Sequence, residues 1–114
     1  MKLVSYLDGS REDWGVVVGD GVASLAARTG CATLAEFVGS EVYAKRDALV
    51  AGLPAERPLA GLRWLPPIPR PEKIVCAVRN YMDHHQEVLA AGMQRELSEQ
   101  PPIFLRVWRS QVAH

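Results

Sequence analysis

The run Leu65-Pro66-Pro67-Ile68-Pro69-Arg70-Pro71 constrains this chain more than any other stretch, with four prolines in six residues. Proline fixes φ and has no backbone N–H, so the run cannot occupy a helix interior or a central strand. It favours an extended, semi-rigid connector. A ligand for a proline-binding partner domain is the other use of such a run. Its position directly before an apolar, β-branched stretch favours the connector. The chain is therefore expected to divide into an N-terminal domain at 1–65, a proline-rich linker at 66–72 and a second unit at 73–114.

A length of 114 residues suits one ordinary domain or two small units. Lys+Arg and Asp+Glu are balanced at 13 each, and the basic residues are scattered. That balance removes the electrostatic footprint of a nucleic-acid binder. No apolar run approaches the roughly 20 residues that span a bilayer, so no membrane partner is expected. The N-terminal MKLVSYLDGS reads as a strand rather than a signal peptide. The two cysteines, Cys31 and Cys76, are too few for a disulfide framework or a metal knuckle, which fits a reducing, cytoplasmic setting. Cys76 lies within Ile74–Val78 and is expected to be a buried small hydrophobe.

Upstream of the prolines the pattern predicts a small α+β domain. Lys2–Leu7 alternates as a strand, and Asp8-Gly9 supplies a turn. Trp14–Val18 and Val22–Leu25 flank Gly19-Asp20-Gly21, which reads as a hairpin turn, not a phosphate loop, because the further glycines are missing. Thr33-Leu-Ala-Glu36 matches a capping box for a short helix, Leu34–Val38, that ends at Gly39. A second helix is expected over Glu41–Ala51, capped by Ser40 and stopped by Gly52. Leu59–Leu65 is a further strand candidate.

Chemistry concentrates after the linker. Ile74–Val78 is expected to be a buried strand that stops at Arg79-Asn80-Tyr81, and Met82–Ala91 is expected to be a helix that ends at Gly92, with Asn80 or Asp83 as its cap. On that helix Asn80, His84, Glu87 and Ala91 form one stripe, while Tyr81, His85, Val88 and Leu89 form a more apolar one. His84 and Glu87 are one turn apart, so their side chains can meet. A carboxylate that accepts a hydrogen bond from one imidazole nitrogen fixes the tautomer and raises the basicity of the other, which can then take a proton from water. Arg79 and Asn80 are suited to an anionic or carbonyl group of a substrate, and Tyr81 to donating a hydrogen bond. On spacing alone, the same pair also fits an exposed helix face with no chemistry. A zinc site is not expected: His84-His85-x-Glu87 lacks histidines at i and i+4.

The layout PPIPRPEKIVCAVRNYMDHHQE, followed by PPIFLRVWRSQVAH, resembles the fumarylacetoacetate hydrolase family. In that family a proline-rich connector leads into a strand, an Asn-Tyr-x-x-His-x-x-Glu segment and a Pro-x-Phe-(Leu/Phe)-Lys-type strand. The matching residues here are Asn80, Tyr81, His84 and Glu87, then Pro102, Phe104, Leu105 and Arg106. The resemblance is most specific over Leu65–Arg106. It implies an α+β fold class, with a small N-terminal strand/helix domain followed by the start of a β-rich catalytic domain. That domain looks truncated, because Ile103–Val107 adds a second strand candidate and only one helix is available to cover the pair.

The same resemblance implies a metal-dependent hydrolase or lyase that cleaves C–C bonds in 2-oxo or diketo acids such as acylpyruvates. His84 and Glu87 would form its water-activating dyad, and Arg79, Asn80, Tyr81 and Arg106 would contact the small-molecule 2-oxo acid substrate. A Mg2+ or Mn2+ ion would be held by a Glu-x-Glu pair and a later Asp, none of which lies in this chain. A full-length form would be a homodimer, and the 114-residue chain alone would be inactive. Arg106 stands where the family often has lysine, which keeps the charge and changes the donor geometry. The other function class is a non-catalytic docking or oligomerisation module.

Overall fold

The computed structural model describes residues 1–78, 82–92, 100 and 102–113, with the backbone alone at His84 and His85. Two compact units emerge: residues 1–70 together with 111–114, and residues 71–110. The architecture is α+β.

The first unit is a five-stranded antiparallel sheet with short helices on one face. Its strands are Leu3–Asp8 (β1), Arg11–Val18 (β2), Gly21–Ser24 (β3), Arg57–Pro58 (β4) and Arg63–Leu65 (β5), in the order β4-β3-β2-β1-β5. Local turns fix the register of the first three. Asp8 pairs with Arg11 across Gly9-Ser10, and Val18 pairs with Gly21 across Gly19-Asp20. Gly19 has φ 55°, a conformation that glycine adopts without a Cβ penalty. Gly15 is required for a different reason: a Cβ there would lie 2.1 Å from the Ala23 carbonyl oxygen.

The register puts Ser5 opposite Trp14 and Val16 opposite Ala23, so these residues share a sheet face. Onto that face pack the helices Ala26–Thr29 (α1), Leu34–Val38 (α2) and Arg46–Val50 (α3), preceded by a 3-10 turn, Glu41–Lys45. Trp14, Val16, Ala23, Leu25, Cys31, Leu34 and Phe37 form the core. The Trp14 and Phe37 rings sit 4.9 Å apart, and Tyr43 meets Phe37 edge-on at 5.5 Å. The Trp14 indole N–H donates to the Cys31 carbonyl at 3.0 Å, so the largest core side chain carries no unpaired donor.

Several expectations change in this unit. Thr33 accepts from the Glu36 N–H at 3.1 Å, as a capping box requires, but the Glu36 carboxylate reaches the Ala32 N–H at 2.7 Å instead of that of Thr33. The helix expected over Glu41–Ala51 is divided. Lys45 adopts φ −100°, ψ 11°, and the helical ladder restarts at Arg46. The tighter first turn lets Val42 and Tyr43 both pack on the core. The Ser40 hydroxyl donates back to the Phe37 carbonyl at 2.8 Å and does not cap the following turn. The strand expected over Leu59–Leu65 is confined to β5, because Leu62 N–H closes a turn on Leu59 and Gly61 has φ 86°.

The proline-rich run is tied to this first unit. The buried Ser5 hydroxyl donates to the Pro67 carbonyl at 2.6 Å. Arg70 makes a two-pronged contact with the Glu12 carboxylate, at 2.7 and 2.5 Å. Those bonds hold the Glu12 carboxyl below its ordinary range.

The second unit contains the strands Ile74–Ala77 (β6) and Ile103–Arg106 (β7), paired antiparallel, and the helix Met82–Ala90 (α4). The expected burial of Ile74–Val78 is not found. Ile74 and Cys76 are half-buried, while Val75 and Ala77 are exposed. Cys76 is therefore not the fully buried hydrophobe that its apolar neighbours suggest. Two strands cover one another only edge to edge, so neither broad face is sealed by the pairing itself.

Candidate functional site

The candidate site residues lie on and around β6 and α4. The β-branched residues Ile74 and Val75 suit a pleated strand, and the pairing with β7 extends to Val78, whose N–H donates to the Pro102 carbonyl at 2.9 Å. The change to polar residues at 79–81 ends the strand character of the sequence. Arg79, Asn80 and Tyr81, expected to hold substrate, lie outside the described residues, as does the suggested Asn80 cap. The other suggested cap, Asp83, lies inside the first turn of α4.

His84, His85 and Glu87 all fall on α4, as the periodicity predicts. His84 and Glu87 are three residues apart on this helix, which puts them on the same side of it. The Glu87 side chain is on the exposed part of the helix, and its backbone carbonyl accepts from the Ala91 N–H at 3.0 Å. The last turn closes with the Gly92 N–H on Leu89, where Gly92 has φ 77°. The expected stop at Gly92 is thus a left-handed cap of the usual kind.

Arg106 is the remaining expected substrate contact. It pairs with Ile74, at the start of β6, while Ile103 pairs with Ala77 at its end. The antiparallel register therefore places Arg106 about 10 Å along the sheet from the end of β6 that leads to α4. Its guanidinium donates to the Ser110 carbonyl at 3.3 Å and so closes the short 3-10 turn Trp108–Ser110. One of five guanidinium donors is spent in that bond.

No group of three or more His, Cys, Asp or Glu side chains is placed to hold a metal ion among the described residues. The resemblance places the ligands of its Mg2+ or Mn2+ ion outside this chain. No helix of the described residues is long and apolar enough to cross a membrane.

A further cavity among the described residues lies elsewhere. A groove of about 440 Å³ in the first unit is lined by Val4, Trp64, Leu65, Pro66 and Pro67 with Gln111–Ala113. None of these side chains titrates near neutral pH, so the groove holds no group that can transfer a proton. Sequence reading missed a second feature of the first unit, the buried carboxylate of Asp13. It accepts from the Tyr6 hydroxyl at 3.1 Å, the Ser24 hydroxyl at 2.9 Å and the Trp14 N–H at 2.8 Å. Burial, and then the Asp13 charge, push the Tyr6 phenol up to about 12. Asp13 sits between charged and aromatic residues in sequence, and only its direct pairing with Tyr6 across β1 and β2 reveals the cluster. Held by three donors from its own unit, this carboxylate serves the fold.

No known family model, curated protein or solved structure matches this chain.

Proposed function

We propose that this chain carries the proton-handling part of a fumarylacetoacetate hydrolase-like site, acting on 2-oxo or diketo acids of the acylpyruvate class. The observation that carries this reading is one arrangement. β6 precedes α4 in the chain, His84 and Glu87 lie one turn apart on that helix, and the Pro-x-Phe-Leu-Arg strand pairs alongside β6.

In this reading His84 takes a proton from water, and Glu87 orients the imidazole and stabilises its protonated form. The hydroxide attacks the acyl carbonyl carbon. The C–C bond to the pyruvyl fragment then breaks, and its electron pair leaves on that fragment as an enolate. A proton returned from His84 converts the enolate to the 2-oxo acid. Arg79 and Asn80 hold the substrate carboxylate and carbonyl, and Tyr81 donates a hydrogen bond. Arg106 supplies a further cationic contact. The implied Mg2+ or Mn2+ would need acidic ligands from residues outside this chain.

The test is acylpyruvate hydrolysis, followed by loss of the diketo absorbance. The 114-residue chain alone is expected to show none, and hydrolysis by it would overturn the placement of the metal ligands elsewhere. In a full-length form supplied with Mg2+ or Mn2+, His84→Gln is expected to lower kcat by about 10²–10⁴ while metal affinity is kept. A kcat within threefold of the unsubstituted enzyme would sink the dyad.

A further inference from the structure

The groove of the first unit contains a polar group that the fold leaves unanswered. Trp64 pairs directly with Tyr6, and Val4 lies two residues before Tyr6 on β1, so Val4 and Trp64 share a sheet face. Both line the groove, together with Pro66, Pro67, Gln111 and Val112. Gln111 is half-buried, and its side-chain nitrogen is covered without a hydrogen-bond partner. Buried polar atoms in native proteins are nearly always paired, so an unanswered one calls for a partner. The last side-chain torsion of glutamine is broad, so the amide can turn toward an occupant of the groove it lines.

We propose that this groove is a binding site for a small, uncharged aromatic carboxamide. Its volume, about 440 Å³, falls within the roughly 300–1,000 Å³ of small-molecule sites, and its lining is mostly apolar, as theirs is. No charged side chain lines it among the described residues, so an ionic ligand would lose hydration without compensation. The Trp64 indole suits contact with a second aromatic ring. Pro66 and Pro67 have no N–H to offer, and the Pro67 carbonyl already accepts from Ser5 at 2.6 Å. Orientation therefore falls to Gln111. A primary amide both donates and accepts, so a ligand carboxamide can answer it in both directions.

The site binds and does not turn over its ligand, because no lining side chain transfers a proton. Two adjacent prolines make its wall stiff, and the Ser5 hydrogen bond fixes that wall to β1. A preformed wall lowers the ordering cost of binding. The inference is independent of the dyad, since every lining residue belongs to the first unit.

Titration of the 15N-labelled 114-residue chain with benzamide, followed by NMR to about 20 mM, tests it. Saturable shifts are expected at the Trp64 indole N–H and the Gln111 side-chain amide, with a Kd on the order of 1 mM for so small a ligand. Benzoate, the same ring with a charge, is expected to bind at least about tenfold more weakly. Gln111→Leu keeps the bulk and removes the amide, and should weaken benzamide binding by about fivefold or more. If that variant fails to fold, Gln111→Met replaces it. No saturable shift, shifts centred on other residues, benzoate binding as tightly as benzamide, or binding unchanged in the Gln111 variant would each overturn the proposal. So would equal binding of an alanine tripeptide amide, since the groove would then read the backbone of a protein partner.

Discussion

At residue scale, the most consequential side chain is Asp13, 7% exposed and held by three donors. A buried charge is tolerable only when its lone pairs are used. The cluster couples the fold to alkaline pH through Tyr6. Ionising Tyr6 would put a second negative charge beside Asp13 in a buried site, so the folded state holds the phenol protonated. The folded value, about 12, lies above the ordinary value of 10.0. The sign follows: this contribution is fully present below pH 10 and is lost as pH rises through 12. A phenolate absorbance titration is expected to show one of the three tyrosines ionising late, together with unfolding. In Tyr6→Phe the steep loss of stability across that window should disappear. If the late phase persists in that variant, the assignment to Tyr6 is wrong.

At the scale of elements, close backbone approach outweighs propensity. Glycine is a poor strand former, yet Gly15 stands in the middle of β2, because the Ala23 carbonyl occupies the space where a Cβ would be. Gly15→Ala is expected to force β2 from β3 and cost about 3 kcal/mol or more. Urea unfolding checks this as a lowered midpoint with unchanged m. A loss below 1 kcal/mol would show that the strands accommodate the methyl group. The hairpins and α2 were legible because each is decided within a few residues: Gly19-Asp20 reverses the chain locally, and Thr33 meets Glu36 within one turn. The division of Glu41–Ala51 at Lys45 was not legible. It answers to Phe37, which Tyr43 must reach, and no local pattern reports that contact.

At the scale of the whole molecule, burial is unevenly distributed. Every fully buried hydrophobic side chain among the described residues falls between Tyr6 and Phe37. Stability should follow the same division, since segments with few buried apolar contacts open at low cost. Limited proteolysis is expected to cut first within residues 71–110 and to leave a fragment that starts at Met1 and ends near Arg70. Hydrogen exchange should be slowest in β1, β2 and β3. Initial cleavage inside those strands would contradict this ordering. The proline-rich run belongs in this picture as part of the protected fragment, pinned by Ser5 and by the Arg70–Glu12 pair. That pair is more than a third exposed on both sides, so Arg70→Ala should leave the urea unfolding midpoint nearly unchanged.

The amino-acid order alone determined the features that chain neighbours settle: the turns at Gly9 and Gly19, the cap at Thr33, the strand from Ile74, and the helix that sets His84 and Glu87 on one side. Only the tertiary structure decided what depends on distant partners. It turned Asp13 inward against Tyr6, fastened the prolines to Ser5 and Glu12, and set Arg106 opposite Ile74. It also left Val75 and Cys76 without the burial that their apolar run predicts. Hydrophobicity specifies that a strand needs cover, but the packing partner that supplies it is not written in the strand.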